Sequence, residues 1–574
     1  MFHPQFTAGP PAPVRPDTMT DTRISTAPSG ITLTRGTTRR RFLTWSAVTA
    51  AAAFAPAMLG SAHAQTGGSG PTGSSGSSGS AGSVGGGADL FSLGIASGDP
   101  LPDSVILWTR LAPSPLEPGG GMPPLPVPVD WEVATDPSFR RVVARGTEIA
   151  LPDNAHSVHV TVNGLQPWTE YHYRFRAQGQ ITEPGRTKTT PAAGQSLPAL
   201  SFAWASCQNW VNGLWTAYTD LADTTSHEPL DVILHLGDYI YEGDHRKSDA
   251  RDTRDIDFSV TREPYTLDEY RLRYSLYKRE PELQTAHRAA PWIVTMDDHE
   301  VDNNWAGEIS QDDDDPAAFL QRRAQAFKAW WEHTPTRVQA PTGPTLTIYR
   351  QAVYGDLATF NVLDTRQYRS DQLYGDGSHV QDAATADPSR TMVGAQQENW
   401  LLDNLASSTT RWNILAHQTV MTDLAQMTDG ERQVSMDGWS GYEASRHRIL
   451  DGAVDRGVDN LMSIVGDIHR NTVSELKRDY RDSRSPAVGV EIAGTSISSG
   501  GDGKDLDDAA ENMLATTPEI KLSSAQRGYV RTTVTPEQWS SDLRVVDQVT
   551  TPGGRMRTRA TVTVPAGRPE ISLD

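Results

Sequence analysis

Short, continuous apolar runs recur along the chain, and each leads directly into acidic, histidine or asparagine residues. Val232–Leu236 precedes GDYIY, Trp292–Met296 precedes DDHEVDNN, and Leu461–Val465 precedes GDIHR. An apolar run of this length is typical of a strand that is buried on both faces of a parallel sheet. Because the carboxyl ends of parallel strands meet at one edge, we expect these polar tips to converge there.

Helical patterns lie between the apolar runs. The pattern predicts one helix over Leu267–His287. It predicts another over Pro316–Glu332, where the apolar side chains recur at helical spacing. Trp412–Ala416 adds another continuous apolar run. Strands that alternate with helices favour an α/β domain whose site lies at the carboxyl ends of the strands.

The segment before residue 193 has a different pattern, with short strand-like runs separated by turn residues. The candidate strands are Val105–Trp108, Trp131–Ala134 and Val158–Val162. Tyr171, Tyr173 and Phe175 alternate onto one face, and the segment around them is similar to the tyrosine corner of fibronectin-type sandwiches. We therefore predict an all-β sandwich in this region.

The N-terminal 64 residues have the pattern of an export signal. Thr38–Leu43 matches a twin-arginine motif, Trp45–Leu59 is apolar, and Ala62–Ala64 is a candidate cleavage site. Met19 is an alternative start. The apolar segment is short and rich in alanine, which disfavours a membrane anchor. The pattern predicts export by the twin-arginine machinery to the periplasm or the medium.

The net charge and the cysteine content argue against nucleic-acid binding and against a fold stabilised by disulfides. The formal net charge of −20 disfavours nonspecific binding to nucleic acid, because both surfaces are anionic. Cys207 is the single cysteine, so no intrachain disulfide is possible.

Polar residues at two strand ends have the chemistry of a metal site. Asp238 follows a glycine and can bridge two cations, and Tyr241 is three residues further on. Alone, this pattern also fits a turn with a core tyrosine. The adjacent Asp297 and Asp298 would repel each other unless a cation lies near them. His299 beside them can act as a proton donor.

Further candidates follow other runs. Asp467 and His469 face the same side of an extended chain, and Asn304 offers a neutral oxygen ligand. His417 ends Trp412–Ala416 and is equally consistent with a hydrogen-bonded core histidine. Cys207 fits either a metal-bound thiolate or a small buried apolar residue. Two glycine-rich segments are candidates for the rim of the site or for plain turns: Gly438–Tyr442 and Gly494–Gly503.

Together these motifs resemble the PhoD-like alkaline phosphatase family of the calcineurin-like metallophosphoesterase superfamily. The similar landmarks are FSLGIASGDPLPDSVILWTRLAP, SCQNW, GDYIYEG, MDDHEVDNNWAG, LDTRQYRSDQ and GDIHR, in this order. The resemblance implies an immunoglobulin-like domain before an αββα catalytic sandwich. It also implies hydrolysis of phosphate mono- and diesters by a metal-activated hydroxide, with Fe³⁺ and Ca²⁺ as cofactors.

The resemblance also implies roles for single residues. Cys207, Asp238, Tyr241 and His469 match iron ligands, and Asp238, Asp298 and Asp467 match calcium ligands. His299 matches the position that protonates the leaving group, with Asn304 beside it. Arg366 resembles an arginine near the phosphate, whose planar guanidinium suits bidentate binding. His417 stands where the superfamily often has a histidine.

The expected organisation is a leader at 1–64, a Gly/Ser-rich linker at 65–88, a β-sandwich at 89–192 and a catalytic domain at 198–565. The function that we predict is that of an exported alkaline phosphatase or phosphodiesterase. A phospholipase D-type phosphodiesterase is an alternative with the same chemistry. A non-catalytic protein that binds a surface or a carbohydrate through the β-sandwich is an alternative of another class.

Overall fold

The computed structural model describes residues 88–574 except Asp249 and Asp313. The predicted leader at 1–64, the alternative start at Met19 and the linker up to residue 87 lie outside the described residues. No helix among the described residues is long and apolar enough to cross a bilayer.

A large mixed sheet forms the centre of the fold. Its strands, in spatial order, are Ser572–Leu573, Met556–Pro565, Gln538–Val546, Gly528–Val534, Leu200–Ala205, Val232–His235, Trp292–Val294, Ile95–Leu101, Ser104–Arg110 and Ser157–Asn163. Leu200–Ala205, Val232–His235 and Trp292–Val294 run parallel, as the continuous apolar runs predict. Their carboxyl ends therefore lie at the same edge.

A second mixed sheet packs against the large sheet. Its strands, in order, are Arg350–Tyr354, Ala358–Val362, Trp412–Ala416, Leu461–Val465, Ala487–Ala493, Asn471–Lys477 and Ile520–Ser524. Aromatic side chains from the two sheets meet in a shared core, where the ring centroids of Phe202 and Phe360 are 5.0 Å apart. Burying such large rings supplies much of the apolar stabilisation between the sheets.

Helices cover the outer faces of both sheets. The helices of the described residues are Thr216–His227, Phe258–Thr261, Leu267–Lys278, Pro281–Ala289, Pro316–His333, Gly394–Ser407, Glu443–Asp455 and Asp508–Thr516. Pro316–His333 confirms the predicted helix, and the Asp315 side chain accepts the N–H groups of Ala317 and Ala318 at its start.

The helix predicted over Leu267–His287 is wrong as a single element. It is two helices, because Arg279 and Glu280 leave the helix and Pro281 begins the next one. Proline has no backbone N–H and is favoured in the first helical turn, so it starts a helix more readily than it continues one.

The N-terminal region is all β, as predicted. A third sheet contains the strands Val142–Ala150, Val127–Ala134, Glu170–Ala177, Gln180–Ile181 and Gly185–Lys188. Tyr171, Tyr173 and Phe175 are all buried, and the Oη atom of Tyr171 accepts the N–H of Gln166 at 2.8 Å, as a tyrosine corner does. The facing strands belong to the large sheet, in which Gly98 pairs with Trp292.

A small three-stranded sheet lies close to the carboxyl-end edge. Its strands are Ser378–His379, Glu431–Ser435 and Gln426–Thr428. The helix Asp508–Thr516 packs on it, and the N–H of Met427 donates to Asn512 Oδ1 at 2.8 Å.

Candidate metal centre

The ends of strands from both sheets bring metal-ligating side chains to one place. The candidate ligands that meet there are Cys207, Asp238, Asp297, Asp298, His299, Asp467 and His469. They form three overlapping groups, in each of which the candidate ligand atoms lie within 4.8 Å of one another. Asp238 and Asp298 each belong to two groups, so the donors form one continuous centre.

Mixed donors occupy one half of the centre, which we call the thiolate half: Cys207, Asp238, Tyr241 and His469. The Oη atom of Tyr241 donates to Asp238 Oδ2 at 2.9 Å and lies 3.0 Å from His469 Nε2. Asp238 Oδ1 is buried and has no hydrogen-bond partner among the described residues. An unpartnered buried carboxylate oxygen is costly, and a cation is the partner that would satisfy it.

The other half, which we call the carboxylate half, contains Asp297, Asp298 and Asp467. Arg366 is buried among them, with Nε 2.5 Å from Asp297 Oδ1 and Nη2 3.2 Å from Asp467 Oδ1 and 3.4 Å from Asp298 Oδ1. Its Nη1 donates to Asp437 at 3.0 Å. The predicted bidentate contact with phosphate differs from this placement, because every guanidinium nitrogen faces a carboxylate.

The backbone at the centre is strained in the same way at several positions. Residues with a positive φ include Cys207, Asp238, Asn304, Asp467 and His469. A left-handed conformation costs a residue other than glycine about 1 kcal/mol or more, and such residues concentrate at functional sites. The strain turns each side chain out of its strand direction and toward the shared point.

The glycine of each GD motif permits a close approach. A Cβ atom on Gly237 would lie 2.3 Å from Asp297 Cβ, and one on Gly466 would lie 2.3 Å from Ser206 Oγ. Any larger residue at either position would push two strand ends apart. The motif therefore combines a contact that only glycine allows with the aspartate that follows it.

Glu300 holds the two halves together. Its buried carboxylate accepts the N–H groups of Asp238 at 3.1 Å, Tyr239 at 2.5 Å and Asp297 at 2.7 Å. Burial raises its pKa to about 8, although the same hydrogen bonds favour the ionised form. One side chain thus sets the backbone of two turns that belong to different strands.

His299 is paired with a carboxylate outside the ligand groups. Its Nδ1 atom lies 2.7 Å from Glu242 Oε2, and Glu242 also accepts the N–H of Asn303 at 2.8 Å. Burial opposes protonation, but Glu242 and Asp298 together raise the pKa of His299 well above its usual value. An imidazolium held in this way can donate a proton to a departing alkoxide.

The electrostatics of the anionic donors fit a bound cation. Burial, and after it the charge of Asp238, raises the pKa values of Cys207 and Tyr241 well above their usual range. Burial likewise raises the pKa of Asp467. Each anion is therefore unfavourable beside the others, and a multivalent cation reverses that balance.

Two predicted site residues lie outside the ligand groups. The N–H of Asn304 donates to Asp298 Oδ2 at 2.8 Å, and its Nδ2 donates to Asp376 Oδ2 at 2.7 Å. The Nε2 atom of His417 lies 3.0 Å from Ser463 Oγ, and burial lowers its pKa to about 3. This contact matches the core-histidine alternative, and His417 is in none of the three groups.

Sequence reasoning missed several residues that support the centre. Glu242 directly follows the GDYIY motif, and Asp437 directly precedes the predicted rim segment Gly438–Tyr442. Ser499, within the other rim segment, has its Oγ atom 2.7 Å from Tyr241 Oη. Proximity to a recognised motif was the only signal for Glu242, because its partner comes from a different strand end.

Family profiles and a curated relative identify the same family for this chain. The profile of the PhoD-like phosphatase family matches residues 202–543, and that of its N-terminal domain matches residues 78–191. Alkaline phosphatase D of Bacillus subtilis (strain 168) is 46% identical over 471 residues, which cover 82% of this chain and 80% of that protein.

One solved structure agrees with this match. A structure described as that of PhoD aligns with a TM-score of 0.80 and 44% identity, covering 86% of this chain and 93% of that one. GAP50, the anchor in the inner membrane complex of Plasmodium, aligns with a TM-score of 0.35 and 11% identity over 65% of this chain and 91% of its own. The first alignment includes the mixed sheets and the all-β N-terminal region.

Proposed function

The chain belongs to the PhoD-like phosphatase family and is a phosphoric ester hydrolase; from that membership we propose an alkaline phosphatase or phosphodiesterase that depends on metal ions. The observation that carries the metal dependence is the continuous set of donors in which Asp238 and Asp298 are each shared by two groups. Shared carboxylates are the usual means of holding two cations a few ångströms apart.

We propose that the layers of helix, sheet, sheet and helix form the αββα sandwich of metallophosphoesterases. The all-β region would then be an immunoglobulin-like domain at 89–192, before a catalytic domain at 198–565. The shared aromatic core and the tyrosine corner at Tyr171 support this assignment. Because Ile95–Leu101 pairs with Trp292–Val294, we expect the two domains to unfold together.

We propose Fe³⁺ in the thiolate half and Ca²⁺ in the carboxylate half. Thiolate, phenolate and imidazole donors suit a transition metal, whereas a site made only of carboxylates suits a hard divalent cation. Bound cations of these kinds would polarise a phosphate ester and activate water. A visible charge-transfer band from Tyr241 or Cys207 is the expected signature of iron, and a fully active, colourless, iron-free protein would contradict the assignment.

The protein groups around the cations have separate tasks in this proposal. His299, held at Nδ1 by Glu242, donates a proton to the leaving alkoxide. Arg366 keeps the three carboxylates of its half in place, which replaces the direct phosphate contact expected from the sequence. Asn304 orients Asp298 through its backbone N–H.

We also propose export through the twin-arginine route, which the Thr38–Leu43 motif supports. Changing Arg39 and Arg40 to lysine preserves the charge but removes the motif, and we expect the protein to remain in the cytoplasm. Unchanged export of that double variant would contradict this route.

The test of the function compares p-nitrophenyl phosphate with bis(p-nitrophenyl) phosphate, with and without a chelator. We expect hydrolysis of at least one ester, loss of that activity on chelation, and recovery with added Fe³⁺ and Ca²⁺. Full activity of a protein shown to contain no metal would overturn the proposal.

A further inference from the structure

A cavity of about 270 Å³, which we call the side cavity, lies beside the candidate metal centre. It is open to solvent and is bordered by the small three-stranded sheet, the helix Asp508–Thr516 and the turn that follows Leu461–Val465. No group of the centre described above lines it. Its volume is just below the range usual for small-molecule sites, so it suits a group of modest size.

One wall of the side cavity is part of the metal-binding turn itself. Ile468 lines the cavity, and it stands between the two candidate ligands Asp467 and His469. Consecutive Cα atoms are about 3.8 Å apart, so the cavity begins within one residue of the centre.

Two other wall residues are each two positions from a residue that binds a neighbour of the centre, namely Asn304 or Arg366. Ser378 follows Asp376, whose Oδ2 accepts the amide of Asn304 at 2.7 Å. Ser435 precedes Asp437, which binds Arg366 at 3.0 Å. Three separate segments of the chain therefore contain both a wall residue of the cavity and a residue at or near the centre.

The side chains of the walls are mainly uncharged. The apolar members are Leu424, Ile468, Ala509 and Met513, and the polar ones include Gln426, Thr428 and Gln433. Gln426 and Gln433 are directly opposite each other on adjacent strands, so their amides share one face. Arg470 is charged, but it is paired with Asp507 at 2.9 Å.

Resting on the function proposed above, we propose that the side cavity binds the leaving group of the ester and selects small, uncharged alcohols with an apolar face. Phenols and short polyols fit this description. The apolar wall removes hydrocarbon from water, and the two glutamine amides bind an oxygen of the alcohol. A choline group finds no carboxylate in this wall, and an anionic group finds its one cation already paired.

The test changes the charge of the cavity without changing its size. Gln433→Glu is compared with the wild type on phenyl phosphate, phosphocholine and methyl phosphate, whose methyl group is the smallest alkyl leaving group. Each kcat/KM is divided by that for methyl phosphate of the same protein, which removes any general effect on the centre. We expect the phosphocholine ratio to rise about tenfold and the phenyl ratio to fall about fivefold.

Gln538→Glu is the matched control, because it makes the same change on a distant exposed strand end. It should leave all ratios unchanged. Equal ratios for Gln433→Glu and the wild type would overturn the side cavity as a leaving-group site, while hydrolysis itself would still stand. Failure of the wild type to hydrolyse any of these esters would instead sink the proposed function.

A second variant keeps the proposal testable should Gln433→Glu not fold. Leu424→Ala removes part of the apolar wall, and we expect its phenyl ratio to fall about fivefold with little change in the phosphocholine ratio. A phenyl ratio equal to that of the wild type would overturn the proposal independently of Gln433.

Discussion

The two halves of the centre neutralise their negative charge in different ways. In the carboxylate half, Arg366 contacts all three of its aspartates. In the thiolate half, no arginine or lysine of the described residues lies within ion-pair distance of Asp238, and its Oδ1 has no hydrogen-bond partner. The carboxylate half therefore has a permanently charged counter-ion, whereas Asp238 relies on the titratable His299, which Glu242 and Asp298 also hold.

The difference predicts unequal behaviour when metal is removed. Arg366 opposes the effect of burial and lowers the pKa of Asp298, so this carboxylate stays ionised without metal, although burial raises the pKa of Asp297 to about 6 and also raises that of Asp467. Burial raises the pKa of Asp238 well above its usual range, so protons are expected to replace a missing cation in the thiolate half. Metal loss should therefore change the charge of Asp238 before it changes that of Asp298.

The largest effect is expected from Asp238→Asn. The amide keeps the shape of the carboxylate but removes the charge that two donor groups share, so kcat/KM should fall about a thousandfold and bound metal should decrease in both halves. Activity assays and elemental analysis measure the two outcomes, with the exposed Asp403→Asn as control. Retained metal in both halves would show that Asp238 does not join them.

A smaller effect is expected where the halves are joined through hydrogen bonds. Glu300→Ala leaves the N–H groups of Asp238, Tyr239 and Asp297 without their acceptor, and kcat/KM should fall about fiftyfold. Glu300→Gln retains an acceptor oxygen and should recover much of that loss. If glutamine and alanine behave alike, the role of Glu300 is not the one described here.

Cys207→Ser should change metal binding in the thiolate half and leave metal binding in the carboxylate half unchanged. A hydroxyl is a poor replacement for a thiolate, so we expect about a tenfold loss of kcat/KM together with loss of iron, while calcium content stays constant. Asp298→Asn is the reciprocal variant and should lose calcium but keep the visible band. Loss of both metals in both variants would mean that the halves are one cooperative site.

The smallest effect on activity is expected at a buried charge away from the centre. Lys278 Nζ lies 3.2 Å from Tyr239 Oη and 4.0 Å from the ring centroid of Trp108, and burial lowers its pKa from 10.5 to about 7. Below pH 7 the folded protein carries the full cost of the buried ammonium, and between that pKa and 10.5 the cost declines as the pH rises.

Lys278→Met should therefore leave kcat/KM unchanged and remove a pH dependence of stability. Over that window the free energy of unfolding of the wild type should rise relative to the variant by about 1.4 kcal/mol per pH unit. Denaturant unfolding at several pH values measures this slope. A changed kcat/KM would show that buried charge influences activity even outside the two halves.

Much of the centre was predictable because it follows from a general property of parallel strands. Cys207, Asp238 and Asp298 follow three adjacent parallel strands that end at one edge of the large sheet. The expectation of a single sheet edge was wrong for His469, because it follows Leu461–Val465 in the second sheet, whose end meets the same point. Their roles as ligands stay predictions. The sequence pattern therefore predicts well that the ends of these strands converge.

Other features depend on distances that no local pattern contains. The predicted phosphate arginine, Arg366, proved to be enclosed by carboxylates from several different turns, a fact set by loop geometry. The pairing of Gly98 with Trp292 joins segments that are about 194 residues apart in the sequence. Pro281 was a local signal for the break between the two helices. The helical pattern on both sides of it nevertheless favoured a single helix over Leu267–His287.

Anomalous diffraction at the iron edge from crystals of the active protein would test the central claim most directly. We predict a peak within bonding distance of Cys207 Sγ, Tyr241 Oη and His469 Nε2, with Asp238 between it and a second, iron-free site beside Asp298 and Asp467. Fully active crystals with no metal peak among these residues would contradict the account.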